Sequence, residues 1–236
     1  MAKSYLRKAD RVQDIKFAKV LVFINCLVPL TLLSWDAAHD RLGANPLEFV
    51  TRTTGMLTLV FLLLSLSVTP LRKYTGYNWL VKFRRMIGLY AFFYASLHFI
   101  TYLWFDKFFN VKNIVSDTFA RPFIAVGMLT FFLLVPLAAT STNNMVKRLG
   151  GKRWNKLHKL AYVAGIGGVL HYWMLVKSDT SQPLLFIGAL TLLLLYRLLN
   201  AQSQTPTLSI ASVGNRQHEQ QTITALQPSK KPVAGE

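Results

Sequence analysis

The sequence has a single cysteine, Cys26, and only ten acidic residues against 27 lysines and arginines. With no second cysteine, the chain cannot form an intramolecular disulfide, hold an iron–sulfur cluster alone or attach haem through a C-x-x-C-H motif. The glycine motifs of P-loops and of dinucleotide-binding folds are also missing from the sequence. Any redox group must therefore be held by other residues.

Apolar residues, in contrast, are abundant. They make up 52% of the chain, and the mean hydropathy is +0.32, which is typical of a membrane protein. Crossing about 30 Å of hydrocarbon takes roughly 20 helical residues, and six runs approach that length. The sequence predicts an all-α integral membrane protein, a six-transmembrane-helix bundle with spans at Lys19 to Trp35, Phe49 to Val68, Arg85 to Trp104, Pro122 to Ala139, Leu157 to Val176 and Pro183 to Leu199.

The net charge of +17 is distributed unevenly along the chain. If the N-terminus is cytoplasmic, 21 of the 27 basic residues fall in inside segments, whereas six of the ten acidic residues fall outside. This bias alternates at each loop and predicts that both termini are cytoplasmic. The basic charge therefore reflects membrane topology, so membrane lipid is an expected partner and nucleic acid is not.

Three segments follow from these patterns. Residues 1–18 form a basic cytoplasmic N-terminus, and residues 19–200 form the six-helix transmembrane domain. From residue 201 the chain is rich in Gln, Ser, Thr and Pro, with too few apolar residues to order itself. We therefore predict a disordered cytoplasmic tail at residues 201–236.

Two histidines lie inside predicted spans at the same depth. His98 stands 13 residues beyond Arg85, and His171 stands 14 residues beyond Leu157, which is about 20 Å along each helix. Both helices run outward, so both imidazoles lie toward the outer side of the membrane. Ionisable residues within spans tend to mark function, although a neutral imidazole can also serve only to hydrogen-bond across helices.

A facing pair of histidines in an apolar bundle is what axial ligation of a b-type haem requires. Zinc would need three or four ligands, and the sequence offers no further cluster at that depth. The prediction is therefore a haem b between helices 3 and 5, with His98 and His171 as axial ligands of the iron. With both axial positions filled, the group would transfer electrons rather than bind oxygen.

Three stretches carry a resemblance to a known family: "RRMIGLYAFFYASLHFITYLW", "RPFIAVGMLTF" and "WNKLHKLAYVAGIGGVLHYWMLVKSD". Across residues 10 to 200 the chain resembles the haem-binding subunits of protein-methionine-sulfoxide reductase systems, within the ferric-reductase-like transmembrane family. The resemblance implies a multi-pass protein of the bacterial inner membrane that carries haem b and FMN. It also implies that His98, His158 and His171 are haem-associated.

The resemblance further implies partners for electron transfer. Electrons would come from the respiratory chain (quinol) or from a cytoplasmic flavin reductase. They would pass to a periplasmic molybdopterin-containing subunit that reduces methionine sulfoxide in oxidised proteins. The predicted tail is too short for a nucleotide-binding domain and the outside loops are too short for a catalytic domain. The chain is therefore expected to be an electron-transport subunit that is not catalytic toward methionine sulfoxide by itself.

His158 departs from the wider family pattern, in which histidine pairs on two helices stack two haems. Arg84 and Arg85 stand where a partner for His158 would lie, and arginine suits a haem propionate or a flavin phosphate rather than iron. On an ideal helix His158 and His171 point about 140° apart, so either the glycine-rich middle is distorted or the two face different neighbours. We expect these three residues to form an inner-side site for a second haem edge, a flavin or a quinol.

The sequence is also consistent with two other functions. The chain could be a stand-alone ferric-reductase-type cytochrome b that passes electrons to soluble ferric chelates. It could also be a non-redox membrane protein, either a transporter or an assembly factor, in which case the matched histidines would be coincidental. A transporter is disfavoured because the sequence shows no paired halves with broken helices.

Overall fold

A computed structural model describes residues 2–176 and 179–202 of the chain, with the side chains of residues 2–13 and 201–202 left out of the description. Every regular element in this part of the chain is a helix. The predicted tail at 201–236 lies outside the described residues, apart from the two residues that end the last helix. The helices are α1 Ala2–Ala38, α2 Pro46–Thr75, α3 Val81–Thr101, α4 Val111–Ala120, α5 Pro122–Ala139, α6 Asn143–Leu149, α7 Gly151–Leu157, α8 Leu160–Leu175 and α9 Ser181–Gln202.

Within residues 2–176 and 179–202, five helical segments are long and apolar enough to cross a membrane. They coincide with the first, second, third, fourth and sixth predicted spans. Their bounds are Asp14–Ala38, Pro46–Thr75, Asn78–Asp106, Pro122–Ala139 and Ser181–Asn200.

The fifth predicted span, Leu157–Val176, differs from the structure. The chain turns at His158 and Lys159, which separates α7 from α8. Helix α8 has 16 residues and rises about 24 Å, which is short of the roughly 30 Å of a hydrocarbon core. The hydropathy pattern does not reveal this helix break. His158 and Lys159 are polar residues near the start of the apolar run, where a predicted span is expected to begin.

Local signals in the sequence set the ends of the helices around the site. The Asn45 side chain accepts a hydrogen bond from the Glu48 N–H at 3.2 Å, and Pro46 occupies the first turn of α2. The same helix ends at Gly76, whose φ of +74° suits a residue without a Cβ. Pro122 begins α5 in the same way as Pro46 begins α2.

Helices α2, α3, α5 and α8 pack into a four-helix group that positions the site. Helix α2 packs on α3 and α8, and α5 packs on the same two helices. Small residues permit this close approach, since Ala91 on α3 and Ala164 on α8 are fully buried. A Cβ on Gly167 would collide with the Thr130 hydroxyl, so the approach of α8 to α5 also requires a glycine there.

Two tyrosines of α3 fasten α1 to this group. The Tyr94 hydroxyl donates to the Cys26 carbonyl at 2.7 Å, and the Tyr90 hydroxyl donates to the Phe23 carbonyl at 3.0 Å. Tyr94 is fully buried and stacks on Phe61 with ring centroids 5.2 Å apart. Cys26 is buried in the same cluster, as expected for a small apolar residue.

The chain divides after Tyr196 into two units. The first contains the four-helix group and all the residues of the site. The described part of the second is the end of α9.

We expect Tyr94→Phe to lower the free energy of unfolding in detergent by about 0.6 kcal/mol, because it removes one interhelical hydrogen bond. Tyr94→Ala should cost about 3 to 5 kcal/mol, because it also leaves a cavity against Phe61. Equilibrium unfolding in mixed micelles measures both values. Tyr74→Phe is the matched control, since Tyr74 is 91% exposed, and an equal effect of the two Phe variants would contradict this assignment.

Candidate functional site

A cavity of about 250 Å³ lies inside the four-helix group, with walls from α2, α3, α5 and α8. Its walls are mainly apolar side chains and glycines, and one end carries charged residues. An apolar cavity with a few convergent polar groups is the usual form of a cofactor site. Six of the residues on its walls are Gly55, Leu59, His98, Phe99, Gly127 and His171.

His98 and His171 face each other across this cavity. Their ring centroids lie 6.2 Å apart, and the ring planes are inclined at 77°. The two histidines for which the sequence predicts equal depth thus lie together in one cavity. His98 comes from the last turn of α3, and His171 comes from the last turns of α8.

Each of these rings is held by a backbone carbonyl of a neighbouring helix. Nδ1 of His98 lies 2.8 Å from the Thr51 oxygen on α2, and Nδ1 of His171 lies 2.7 Å from the Phe123 oxygen on α5. Because a carbonyl oxygen only accepts, Nδ1 must be the donor in each pair. In a neutral imidazole this leaves the lone pair of Nε2 available as a metal ligand.

The donor set restricts which metal could bind. Within the described residues, no group of three or more His, Cys, Asp or Glu side chains is placed to hold a metal ion. A bare zinc ion, which prefers four protein ligands or three and a water, does not fit such a pair. Two imidazoles fit a metal that brings its own equatorial ligands, as the iron of a haem does.

One end of the cavity carries polar side chains, here called the charged rim: Arg52, Tyr102, Asp106 and Arg121. The guanidinium of Arg52 pairs with Glu48 at 2.6 Å, and that of Arg121 pairs with Asp117 at 3.0 Å. Both arginines keep more than half of their side-chain surface exposed, so they can bind a further anionic group.

The residues that orient the histidines and those of the charged rim are not predicted from the sequence. The residue types at positions 51 and 123 do not indicate that their backbone carbonyls will accept hydrogen bonds from histidines. The two arginines did carry a signal, because each stands at the start of a predicted apolar run.

The buried carboxylate of Asp117 ties the rim to the end of α3, which carries His98, and to the start of α5, whose Phe123 carbonyl binds His171. This group accepts from Lys107 at 2.9 Å, from the Arg121 guanidinium and, at 3.3 Å, from the Tyr102 hydroxyl. Tyr102 follows His98 by one helical turn, and Arg121 stands two residues before Phe123. The network therefore links the ends of the elements that hold the two cavity histidines.

His158 lies apart from the cavity and does not line it. It ends α7, stacks on Trp154 with ring centroids 3.8 Å apart, and places Nε2 3.4 Å from the Ser141 hydroxyl. His158 and His171 thus face different neighbours, which is the second of the two expected explanations. The glycine-rich segment itself stays helical, and the interruption falls at His158 and Lys159.

The two predicted arginines lie near His158 but make different contacts. Arg84 is close enough to act electrostatically on His158. Arg85 donates to the Asn143 side chain at 2.6 Å, so it binds the start of α6. The structure therefore gathers His158, Arg84 and Arg85 around the α5–α6 turn, as a second group separate from the cavity pair.

Comparison with known proteins agrees with this architecture. Residues 52–169 match the family described as ferric reductase like transmembrane component. The match covers the two cavity walls α2 and α3, and it extends through α5 into α8.

Curated relatives match over a longer stretch. One from Herminiimonas arsenicoxydans, named protein-methionine-sulfoxide reductase heme-binding subunit MsrQ, is 54% identical over 76% of this chain and 83% of its own length. Proteins of the same name from Ralstonia nicotianae and Rhodospirillum rubrum are 49% and 48% identical, over 77% and 84% of this chain and 85% and 93% of their own. The chain therefore belongs to the ferric-reductase-like transmembrane family, as one of its MsrQ members.

The pH dependence of stability tests the Asp117 network. Burial alone raises the pKa of the Asp117 carboxyl, but Lys107 and Arg121 outweigh burial and hold that pKa below its usual value. A lowered folded-state pKa stabilises the protein above the ordinary carboxyl value of about 3.9, and this stabilisation is lost as the pH falls through the folded value. Asp117→Asn should therefore lower the Tm by several degrees at neutral pH, and the difference from wild type should shrink below about pH 5.

Thermal unfolding in detergent between neutral and acidic pH measures this difference. Asp40→Asn, which removes an exposed carboxylate from the α1–α2 loop, is the matched control and should show no such trend. A Tm difference for Asp117→Asn that is the same at every pH would contradict the prediction.

Proposed function

We propose that this chain is the haem-binding, electron-transferring membrane subunit of a protein-methionine-sulfoxide reductase system. The observation that carries the proposal is the imidazole pair in the cavity, with Nδ1 of each ring held by a carbonyl and each Nε2 left without a hydrogen-bond partner among the described residues. The function in the names of the MsrQ relatives supports the same conclusion.

The spacing of the two rings fits axial ligation of a b-type haem. A metal–imidazole bond is about 2 Å long, so two axial ligands separate their nitrogens by about 4 Å and their ring centroids by about 6 Å. The observed separation is 6.2 Å. When bound, haem b supplies a one-electron carrier whose iron has no open position for oxygen or substrate.

The chain's own residues would hold and insulate that group. His98 and His171 would supply the two nitrogens that bind the iron, and the carbonyls of Thr51 and Phe123 fix the tautomers of the two rings. Side chains such as Leu59 and Phe99 would exclude water from the cavity and so lower the dielectric constant around the haem. At the charged rim, Arg52 and Arg121 are suited to the carboxylates of haem propionates.

We further propose a topology of six spans in the bacterial inner membrane, with both termini cytoplasmic. Helix α8 is the additional span, and its shortness is tolerated because it packs between α2 and α5 rather than standing alone in lipid. The excess of basic residues in alternate loops supports this orientation. It places the charged rim on the periplasmic side and His158 on the cytoplasmic side.

Electrons would enter on the cytoplasmic side and leave on the periplasmic side. The donor is a quinol or a cytoplasmic flavin reductase, and the acceptor is a periplasmic molybdopterin-containing subunit that reduces methionine sulfoxide. The group of His158, Arg84 and Arg85 lies on the entry side. Its two cationic side chains and one imidazole suit a quinol, the phosphate of FMN or the edge of a second haem.

The optical spectrum of the detergent-purified protein tests the cavity site. Wild type should show a low-spin b-type spectrum, oxidised and dithionite-reduced. His98→Ala and His171→Ala should each lose it or convert it to high spin, because one axial ligand is removed. Haem per protein is measured on the same samples by pyridine haemochrome.

His39→Ala is the matched control, because His39 is exposed in the α1–α2 loop and should leave the spectrum unchanged. A colourless wild type expressed with adequate haem would overturn the proposal. Transfer of electrons to soluble ferric chelates without any protein acceptor would instead favour a stand-alone ferric reductase.

His158→Ala tests the entry-side site separately. We expect the low-spin spectrum of the cavity haem to persist, because His158 does not contact the cavity. Flavin content or the rate of haem reduction by a cytoplasmic donor should fall at least tenfold, or total haem should fall by the share that a second haem contributes while the cavity haem is retained. Wild-type values for all three quantities would exclude His158 from a cofactor or donor site.

A further inference from the structure

Each cavity histidine lies directly against a glycine of the neighbouring helix. A Cβ built on Gly127 would lie 2.8 Å from both Cε1 and Nδ1 of His171. A Cβ built on Gly55 would lie 3.1 Å from the same two atoms of His98. Carbon atoms in van der Waals contact are about 3.5 to 4.0 Å apart, so the His171 ring would have to move beside an alanine at residue 127, and the His98 ring would have to give by a few tenths of an ångström beside one at residue 55.

The two glycines occupy the same position relative to the carbonyl that binds each histidine. Gly55 follows Thr51 by four residues on α2, and Gly127 follows Phe123 by four residues on α5. In an α-helix the N–H of residue i+4 points at the carbonyl of residue i. A ring that approaches that carbonyl from the side therefore lies over residue i+4, where a Cβ would project.

Each histidine is therefore bound by the same two features of the neighbouring helix, a carbonyl oxygen and, four residues later, a glycine. This arrangement occurs twice in the fold. On α2 the pair Thr51 and Gly55 receives His98 from α3. On α5 the pair Phe123 and Gly127 receives His171 from α8. The ring is a rigid group whose Nδ1 is already bound, so it cannot turn away from a new methyl group without losing that hydrogen bond.

We infer that Gly55 and Gly127 are positioning residues that fix the rotation of His98 and His171 and so the direction of each Nε2. This inference rests on the proposed haem function and assigns to two glycines a role in tuning the iron. It also ranks the two sites. The shorter distance at Gly127 makes that position the less tolerant of a methyl group.

Other glycines of the same bundle serve a different purpose. In the "AGIGG" stretch of α8, a Cβ on Gly168 would meet Leu59 at 2.9 Å, and one on Gly167 would meet Thr130. These contacts concern helix packing and not the imidazoles. A Cβ on Gly188 of α9 would meet no heavy atom within 4 Å beyond its chain neighbours and its own helix backbone, so alanine there changes only the helix propensity of α9.

The experiment compares Gly127→Ala, Gly55→Ala and the matched control Gly188→Ala in the full chain purified with haem. Three quantities are measured: the ferric absorption spectrum, the midpoint potential of the haem and the haem retained after dilution. We expect Gly127→Ala to gain high-spin character, to shift the potential and to retain haem tenfold to hundredfold more weakly. Gly55→Ala should show the same changes to a smaller extent, and Gly188→Ala should match wild type.

A double-variant cycle separates positioning from packing. Without the imidazole of His171, a methyl group at residue 127 has no ring to meet, so Gly127→Ala added to His171→Ala should change nothing further. If Gly127→Ala alone fails to accumulate in the membrane, the double variant should accumulate again, and Gly55→Ala carries the spectroscopic test.

The inference is overturned if Gly127→Ala and Gly55→Ala equal Gly188→Ala in all three measurements while wild type is low-spin. It is also overturned if Gly127→Ala lowers accumulation in the membrane and lowers it again when it is added to His171→Ala. A wild type that binds no haem refutes the proposed function instead, so the two failures are distinguishable.

Discussion

The hydrogen bond from each cavity histidine to a backbone carbonyl of the next helix is the interaction on which the site depends. In an apolar interior an unpaired ring N–H is costly, so the bond constrains both partners. It joins α3 to α2 through His98 and α8 to α5 through His171, which are the same helix pairs that pack most closely. One interaction therefore holds the helices in register and leaves Nε2 of each ring without a hydrogen-bond partner among the described residues.

The surroundings of the histidines follow from that arrangement. An imidazole can reach a carbonyl on the side of a helix only where no Cβ stands in its way. This explains why residues 55 and 127 are glycines. The cavity stays apolar along its walls and carries charge at one end. There the buried carboxylate of Asp117 connects Tyr102 and Arg121, so the rim is held to the end of α3 and to the start of α5.

The break between α7 and α8 determines the surroundings of His158. It frees His158 from the helix that carries His171 and turns it toward Ser141 and Trp154. Arg84 and Arg85 come from the start of α3 to the same region. The described residues thus form two chemically different groups, an imidazole pair in an apolar cavity and a cluster of one histidine and two arginines near the α5–α6 turn.

Composition and spacing were enough to predict the all-helical membrane class, five of the spans and the depth match of His98 and His171, because hydropathy and helical rise depend only on local sequence. They also marked His158, Arg84 and Arg85 as neighbours. The helix break at His158, the carbonyls that hold the two rings, and the roles of Gly127 and Arg121 came from the tertiary structure alone. These depend on which helices meet and how closely, and a backbone carbonyl or a missing Cβ becomes visible only when another helix lies against it.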